Sequence, residues 1–473
     1  MKKILNIISL VTLVFTLSCQ DLLDVNVDPA RVSPDDATLG TLLPTAIRFS
    51  SSSIYGASER GILYTQQFSG QAIAQYTPYG FDQLWRPFYT DALPTLQDII
   101  VRAEESGAFN YSGIAKTLLA INLMNTAAIF GDAPYSEANQ GTSVLYPCYD
   151  NMEELYTVHI IGLLNEAIED LARPLSDLPT LRTVQNDFIY NGDLAQWTKA
   201  ARAVRARYYL HMSNRQPGLL TNAAQDAQLA FESNSDDLQL TYEDNNPNPW
   251  FGFIGNAVNK IMQPSSYFVD IMSGNGHFEN AFDPRIDFYM TKTGTSTEYV
   301  GLTPGRLVDD EVVNVNIQNT NWPVTIDAPI LFITYAEIQF ILAEAQFTSS
   351  KPNAYAAYLE GIRASMEKVG VPEEDIDDYI NNPEISVGAD NLTLADIMLQ
   401  KYVALFYQIE VWNDMRRYQY DPSVYVGIEK PVNNQIPGNP WIQRSNIADD
   451  EPGVNTCLPE PVANQGVVLW LFE

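Results

Sequence analysis

The sequence predicts a mainly α-helical chain: a solenoid of tetratricopeptide-like helix pairs carrying long irregular loops that hold a ligand. Three observations predict it. Helix starts are written as capping boxes, in which a short polar side chain caps the first turn and a residue three positions on bonds back. Apolar residues then recur at helical spacing. Between the candidate pairs lie stretches rich in Asn, Pro, Gly and aromatic residues, too long to be plain connectors.

The chain opens with Lys2, Lys3 and an apolar run of roughly 15 residues, which is a secretory signal and too short for a membrane span. Ser18 is the small residue a lipoprotein cleavage site requires before its cysteine. Cleavage there leaves Cys19 as a lipid-bearing N-terminus. Thr16 stands where leucine is usual in such a site, and Leu17 is bulkier than the usual neighbour. Ordinary signal cleavage near Ser18 is the alternative. Residues 19–40, with Asp21, Asp24, Asp28, Pro29, Asp35 and Asp36, read as an extended tether. Residues 41–473 then form one helical domain.

Capping boxes open helices at Asp150-Asn-Met-Glu153, Asp193-Leu-Ala-Gln196, Thr334-Tyr-Ala-Glu337 and Thr393-Leu-Ala-Asp396. Leu155, His159, Leu163, Ala167 and Leu171 make one apolar stripe; Ile338, Ile341, Leu342 and Ala345 make another. Three antiparallel pairs follow: 92–104 with 112–130, 150–172 with 193–213, and 334–347 with 353–369. Small residues (Ala336, Ala343, Ala345, Ala356, Ala357, Ala364) let paired helices approach closely. The texture is that of a tetratricopeptide solenoid, although no segment matches that consensus well. The long irregular segments are 70–90, 233–262, 273–330 and 421–473. The last ends in an apolar run, 467–472, expected to dock on the body.

Composition narrows the function. The net charge is −31, or −33 without Lys2 and Lys3, so the chain repels nucleic acid and anionic lipid. Membrane attachment must therefore be hydrophobic. Besides Cys19 there are Cys148 and Cys457, which form no disulfide framework or metal set; they could pair, but the reading favours free thiols and a core-stabilised chain. His159, His211 and His277 have neither zinc nor triad spacing. No Gly-Lys pair offers a phosphate loop. The many carboxylates could imitate a glycosidase pair, but none is singled out. No cofactor or metal is expected.

Six motifs occur in order. They are Phe130-Gly-Asp-Ala-Pro-Tyr-Ser-Glu-Ala138, Pro147-Cys-Tyr-Asp-Asn-Met-Glu-Glu-Leu-Tyr156, and Gly192-Asp-Leu-Ala-Gln-Trp197 with Arg205-Ala-Arg-Tyr208. Asp283-Pro-Arg285 follows, then Ile333-Thr-Tyr-Ala-Glu-Ile-Gln-Phe-Ile-Leu-Ala-Glu-Ala345, then Lys401-Tyr-Val-Ala-Leu-Phe406 running into Glu410-Val-Trp-Asn-Asp-Met-Arg-Arg417. In this order, behind a lipoprotein cysteine, they resemble the SusD/RagB family of outer-membrane nutrient-binding lipoproteins of Bacteroidetes. The resemblance covers essentially the whole chain. It departs at Arg202, where the family often has Asn, and in the C-terminal Leu-Trp-Leu-Phe-Glu. It implies one α-helical domain, no catalysis, and docking as a lid on a SusC-like, TonB-dependent transporter. Residue by residue the motifs read as structural. Glu337 is a capping acid, and an Arg over the Trp412 face, or paired with Glu337 or Glu344, pins helices together.

Sugars and peptides are held by flat aromatic faces plus a few amide and carboxylate hydrogen bonds. Aromatics in polar loops are therefore the binding candidates: Tyr76, Tyr79 and Phe81; Trp250 and Phe251 in the Asn245–Phe253 stretch; and Trp322 beside Pro323. For each, the alternative is a plug packed on the solenoid. Trp85 and Tyr89 sit at helical spacing and read as core. The expected function is a surface lipoprotein that binds an oligosaccharide, or a peptide, and delivers it to the transporter. A secreted glycoside hydrolase and a surface adhesion protein are the alternatives.

Overall fold

The computed structural model describes residues 37–70, 76, 81–255, 262–307, 311–449 and 451–473. Cys19, the tether up to residue 36, and Tyr79 lie outside the described residues.

Helix α1 (Leu39–Tyr64) starts at Thr38, whose side chain and that of Thr41 cap each other's backbone. Helices α2 (Leu93–Glu105), α3 (Phe109–Phe130) and α4 (Ile161–Leu171) follow. The expected pairing of α2 with α3 is present, and α4 also lies along α3. Every residue from Asn110 to Phe130 is buried, because α1, α2, α4 and α5 (Leu194–His211) enclose α3. That enclosure, not a bilayer, explains a helix apolar and long enough to cross a membrane. Helix α5 packs on α4, as expected, and on α6 (Leu219–Gln228). After α7 (Ser266–Ser273), helices α8 (Tyr335–Gln346) and α9 (Lys351–Val369) form the third expected pair. Helix α10 (Leu394–Ala404) packs on both, and α11 (Glu410–Arg417) meets α1. The fold is the tetratricopeptide-like solenoid the sequence predicts.

The caps are partly as written. Thr393 and Asp396 make the full reciprocal box. Asp193 Oδ1 accepts from the amides of Ala195 and Gln196. Thr334 accepts from the Glu337 amide, but the Glu337 carboxylate does not return to the cap. It makes a two-pronged pair with Arg207, at 2.6 Å to both Nε and Nη2. At the first site Asn151, not Asp150, caps the helix, accepting from the Glu154 amide at 2.9 Å. Asp150 instead braces the preceding turn.

The loops are clipped by short antiparallel ribbons. Among the described residues β1 (Phe68–Gly70) pairs with β3 (Met262–Pro264), and β2 (Leu238–Leu240) with β6 (Ile330–Ile333). Strand β4 (Thr291–Lys292) pairs with β5 (Val315–Asn316).

A buried ionic layer ties α5, α8, α10 and α11. Beside Arg207–Glu337, it includes His211 Nε2 to Glu410 at 2.6 Å, Arg417 to Glu344 at 2.6 Å and Lys401 to Asp414 at 2.7 Å. Breaking one partner of such a pair leaves a buried charge uncompensated, so the layer resists rearrangement. The C-terminal run docks as expected, with Leu471 and Phe472 buried. Trp85 and Tyr89 are core-side residues, Trp85 lying between Phe130 and Tyr149.

One expectation is overturned. Cys148 and Cys457 are disulfide-bonded, their Cα atoms 4.9 Å apart across a sequence separation of 309. The fold, not local sequence, brings the 140–150 loop beside the segment after Glu451. Asn455 Nδ2 donates to the Pro147 carbonyl at the same junction.

Candidate functional site

The aromatic loops predicted to bind a ligand fold into two places. Tyr76 and Phe81 are fully buried. Tyr76 donates its hydroxyl to the Tyr64 carbonyl at 3.1 Å, and Phe81 stacks on Trp412 at 5.5 Å. Trp250 is 2% exposed, held edge-on between Tyr55 at 4.7 Å and Tyr407 at 4.6 Å. None of these three rings offers an open face; each fills a gap between loop and helices, which is the plug alternative. The Asn245–Phe253 stretch and the Trp322 loop do meet. Asn248 donates from its backbone to the Ile326 carbonyl and from Nδ2 to the Pro323 carbonyl. Trp322 precedes a cis Pro323 and lies half-buried against Tyr289 at 5.9 Å. Phe251 is half-buried.

An open cleft lies elsewhere, along α7 and the 275–303 chain. Ser265 starts α7 by accepting from the Phe268 amide, and Gly274 ends it in the left-handed conformation at φ 76°. The next residues fold back, with the amides of Asn275 and Gly276 donating to the Asp270 carbonyl. This turn delivers Phe282 to the surface. On the other side, Gly301 runs so close to the start of α7 that a Cβ would sit 2.4 Å from the Ser265 carbonyl oxygen. Only glycine permits that approach, and it lets Ser266 donate to the Leu302 carbonyl at 2.9 Å.

Between these walls is a cavity of about 750 Å³. Phe282, 47% exposed, forms its aromatic face. Tyr299 braces Phe282 from 6.1 Å and is itself aimed by a hydroxyl hydrogen bond to Asp287. Lys292 Nζ lies 4.4 Å over the Tyr299 ring. Asp270, Asn275, Glu298 and Glu311 supply acceptors and an amide. Burial pushes the Asp270 carboxyl up from its ordinary value. Glu311 accepts from the Thr303 amide at 3.0 Å, which fixes its carboxylate. A second cavity of about 250 Å³ shares Ser266, Asp270, Asn275 and Thr303, and continues the cleft toward Gly427 and Lys430. An aromatic face ringed by amide, hydroxyl and carboxylate groups can stack a pyranose ring and bond its hydroxyls.

Residues 273–330 are a loop region too long to be a connector, and Phe282, unlike Trp322, is not among the aromatics its sequence pattern singles out. Phe282 stands in an Asn280-Ala-Phe282-Asp283 context that signals a polar loop as clearly as Trp250 does.

A family model described as starch-binding, associating with the outer membrane, matches residues 40–442. The chain belongs to the SusD-like family. Solved structures agree in fold. A SusD/RagB family protein from Bacteroides thetaiotaomicron superposes with a TM-score of 0.74 at 22% identity, covering 92% of this chain and 99% of its own. A SusD homologue from Bacteroides fragilis gives 0.73 at 21% identity, covering 92% and 100%. A chitin-binding SusD homologue from Flavobacterium johnsoniae gives 0.69 at 19% identity, covering 92% and 96%. No curated protein sequence matches. The SusD-like architecture accounts for the helical body.

Proposed function

We propose that this SusD-like chain is a lipid-anchored surface protein that binds a neutral oligosaccharide in the α7 cleft and delivers it to a SusC-like, TonB-dependent outer-membrane transporter. The observation that carries the reading is Phe282, an exposed ring at the mouth of a polar cavity of about 750 Å³. The starch-binding description of the family and the chitin-binding Flavobacterium homologue support a glycan. The lining favours a neutral one. Asp270, Glu298 and Glu311 outnumber Lys292, and the chain carries −31 overall, so uronate or sulfate groups are repelled. The lipid is carried by Cys19; Cys19→Ala releases the protein from the membrane fraction, and retention of the mutant removes the anchor from the reading.

Calorimetric titration with malto- and chito-oligosaccharides, a sulfated glycan and an oligopeptide tests the site. A stacking contact contributes about 1 kcal/mol beyond area, so Phe282→Ala should weaken binding at least about fivefold and leave the melting temperature unchanged. Binding of no neutral glycan, or equal affinity in the mutant, overturns the assignment. Turnover of the glycan would favour a hydrolase.

A further inference from the structure

A second cluster of donor groups lies outside the α7 cleft, where the 131–136 turn meets the start of the 152–171 helix. We propose that Asp150, Glu154 and His159 bind a divalent transition-metal ion, zinc foremost. Three donor atoms, Asp150 Oδ1, Glu154 Oε1 and His159 Nε2, all lie within 4.8 Å of one another. His159 Nε2 is 3.8 Å from Asp150 and 3.9 Å from Glu154. These separations are too long for hydrogen bonds. They are close to what two ligands on one ion need, each about 2.0–2.2 Å from the metal.

Two independent features point the donors at one another. First, His159 Nε2 is inaccessible to water and has no hydrogen-bond partner. A buried ring nitrogen left without a partner is costly, and a metal satisfies it. Second, residues Leu155–Ile160 form a π-helical turn inside an otherwise α-helical segment. In a regular α-helix, residues five apart point about 140° away from each other. The wider turn brings Glu154 and His159 onto one face, and such turns concentrate at functional sites. The same turn takes His159 out of the apolar stripe in which its sequence spacing places it, so that it lines a cavity with Tyr135 and Lys116.

Asp150 is held as a ligand is held. Its Oδ2 accepts from the amides of Tyr135 at 2.7 Å and Ser136 at 2.9 Å, and its Oδ1 from Ser136 Oγ at 2.5 Å. These outer bonds orient the carboxylate and leave Oδ1 facing the imidazole. Imidazole with two carboxylates suits zinc, cobalt or manganese, whereas calcium takes oxygen ligands only. The ion would fasten the 131–136 turn to the helix.

The test is titration of the tag-free, chelator-treated full chain with ZnCl₂, and with CoCl₂ read by its visible absorption. One equivalent should bind, and zinc should raise the melting temperature. His159→Ala and Glu154→Gln should each weaken binding at least tenfold, and His277→Ala should leave it unchanged. Glu154 is largely exposed, so its substitution reads binding even if His159→Ala disturbs the fold. Absence of a single-site isotherm, binding insensitive to both substitutions, loss with His277→Ala, or binding of CaCl₂ in place of zinc overturns the proposal.

Discussion

The Arg416 guanidinium lies flat over the Trp412 indole, 3.6 Å from the ring centroid, and Phe472 covers its other side at 4.5 Å. Among the described residues it faces no carboxylate at salt-bridge distance. Its donors go to the carbonyls of Trp412, Ala128 and Gln443 and to Asn413 Oδ1. Burial pulls its pKa down to about 9, the mark of a cation held by dipoles and ring faces. One side chain therefore joins α3, α11 and the C-terminal run.

Arg416→Lys should be a severe change, because lysine can neither stack as a plane nor reach all four acceptors. Trp412→Ala removes the ring under it and should cost about 3–5 kcal/mol of stability. Thermal melts check both. Retention of the wild-type melting temperature by Arg416→Lys would show that these acceptors find other donors.

The Cys148–Cys457 bond fixes the 451–473 segment to the loop beside Asp150. Cys457→Ser should lower stability by roughly 2–5 kcal/mol, a range set by constraint of the unfolded chain over a long loop. Non-reducing peptide mapping of the protein isolated from its native cells should find the 148–457 cross-link, as an oxidising compartment allows. Two free thiols there would contradict the pairing.

Local spacing carried the fold. Trp412 and Arg416 stand four apart, so their stack was legible, as were the helix pairs and the caps at Asp193 and Thr393. Long-range partners were not. Thr334 could be read as a cap and Glu337 as the partner of an Arg, but not that the Arg would be Arg207 on α5. Cys148 could not be matched to Cys457 across 309 residues. The π-helical turn at His159 is a hydrogen-bond register that residue types do not encode. The burial of Tyr76, Phe81 and Trp250 was not legible for a related reason. A polar loop context says a ring is not on a helical stripe, yet Trp250 is buried by Tyr55 and Tyr407, which come from other parts of the chain.

The roles of Trp250 and Phe282 should therefore separate. Trp250→Ala vacates a site between two tyrosines and should cost about 3–5 kcal/mol of stability, with glycan affinity unchanged in the folded fraction. Phe282→Ala should do the reverse. Melts beside calorimetry decide; an affinity loss in Trp250→Ala without a drop in melting temperature would return the site to the Trp250–Trp322 loops.

Glu344 predicts how the chain meets acid. Burial pushes its carboxyl up, but Arg417 and Lys401 outweigh burial and hold it below its ordinary value of 4.5. Tyr418 also donates to it, at 2.5 Å. A carboxylate with a depressed folded-state pKa contributes stability that is complete above the unfolded value and is lost as pH falls through the folded one. Glu344→Gln strips the charge but keeps the shape, leaving Arg417 with Asp414 at 2.7 Å. It should cost about 3 kcal/mol at neutral pH, since one buried partner goes missing. The gap between wild type and mutant should be constant from about pH 7 to 5 and close steadily below 4.5, because acid then neutralises in the wild type what the mutation removed. Melting temperatures across that range measure it. A gap that stays constant far below 4.5 would mean that Glu344 is not the carboxylate through which the ionic layer feels pH.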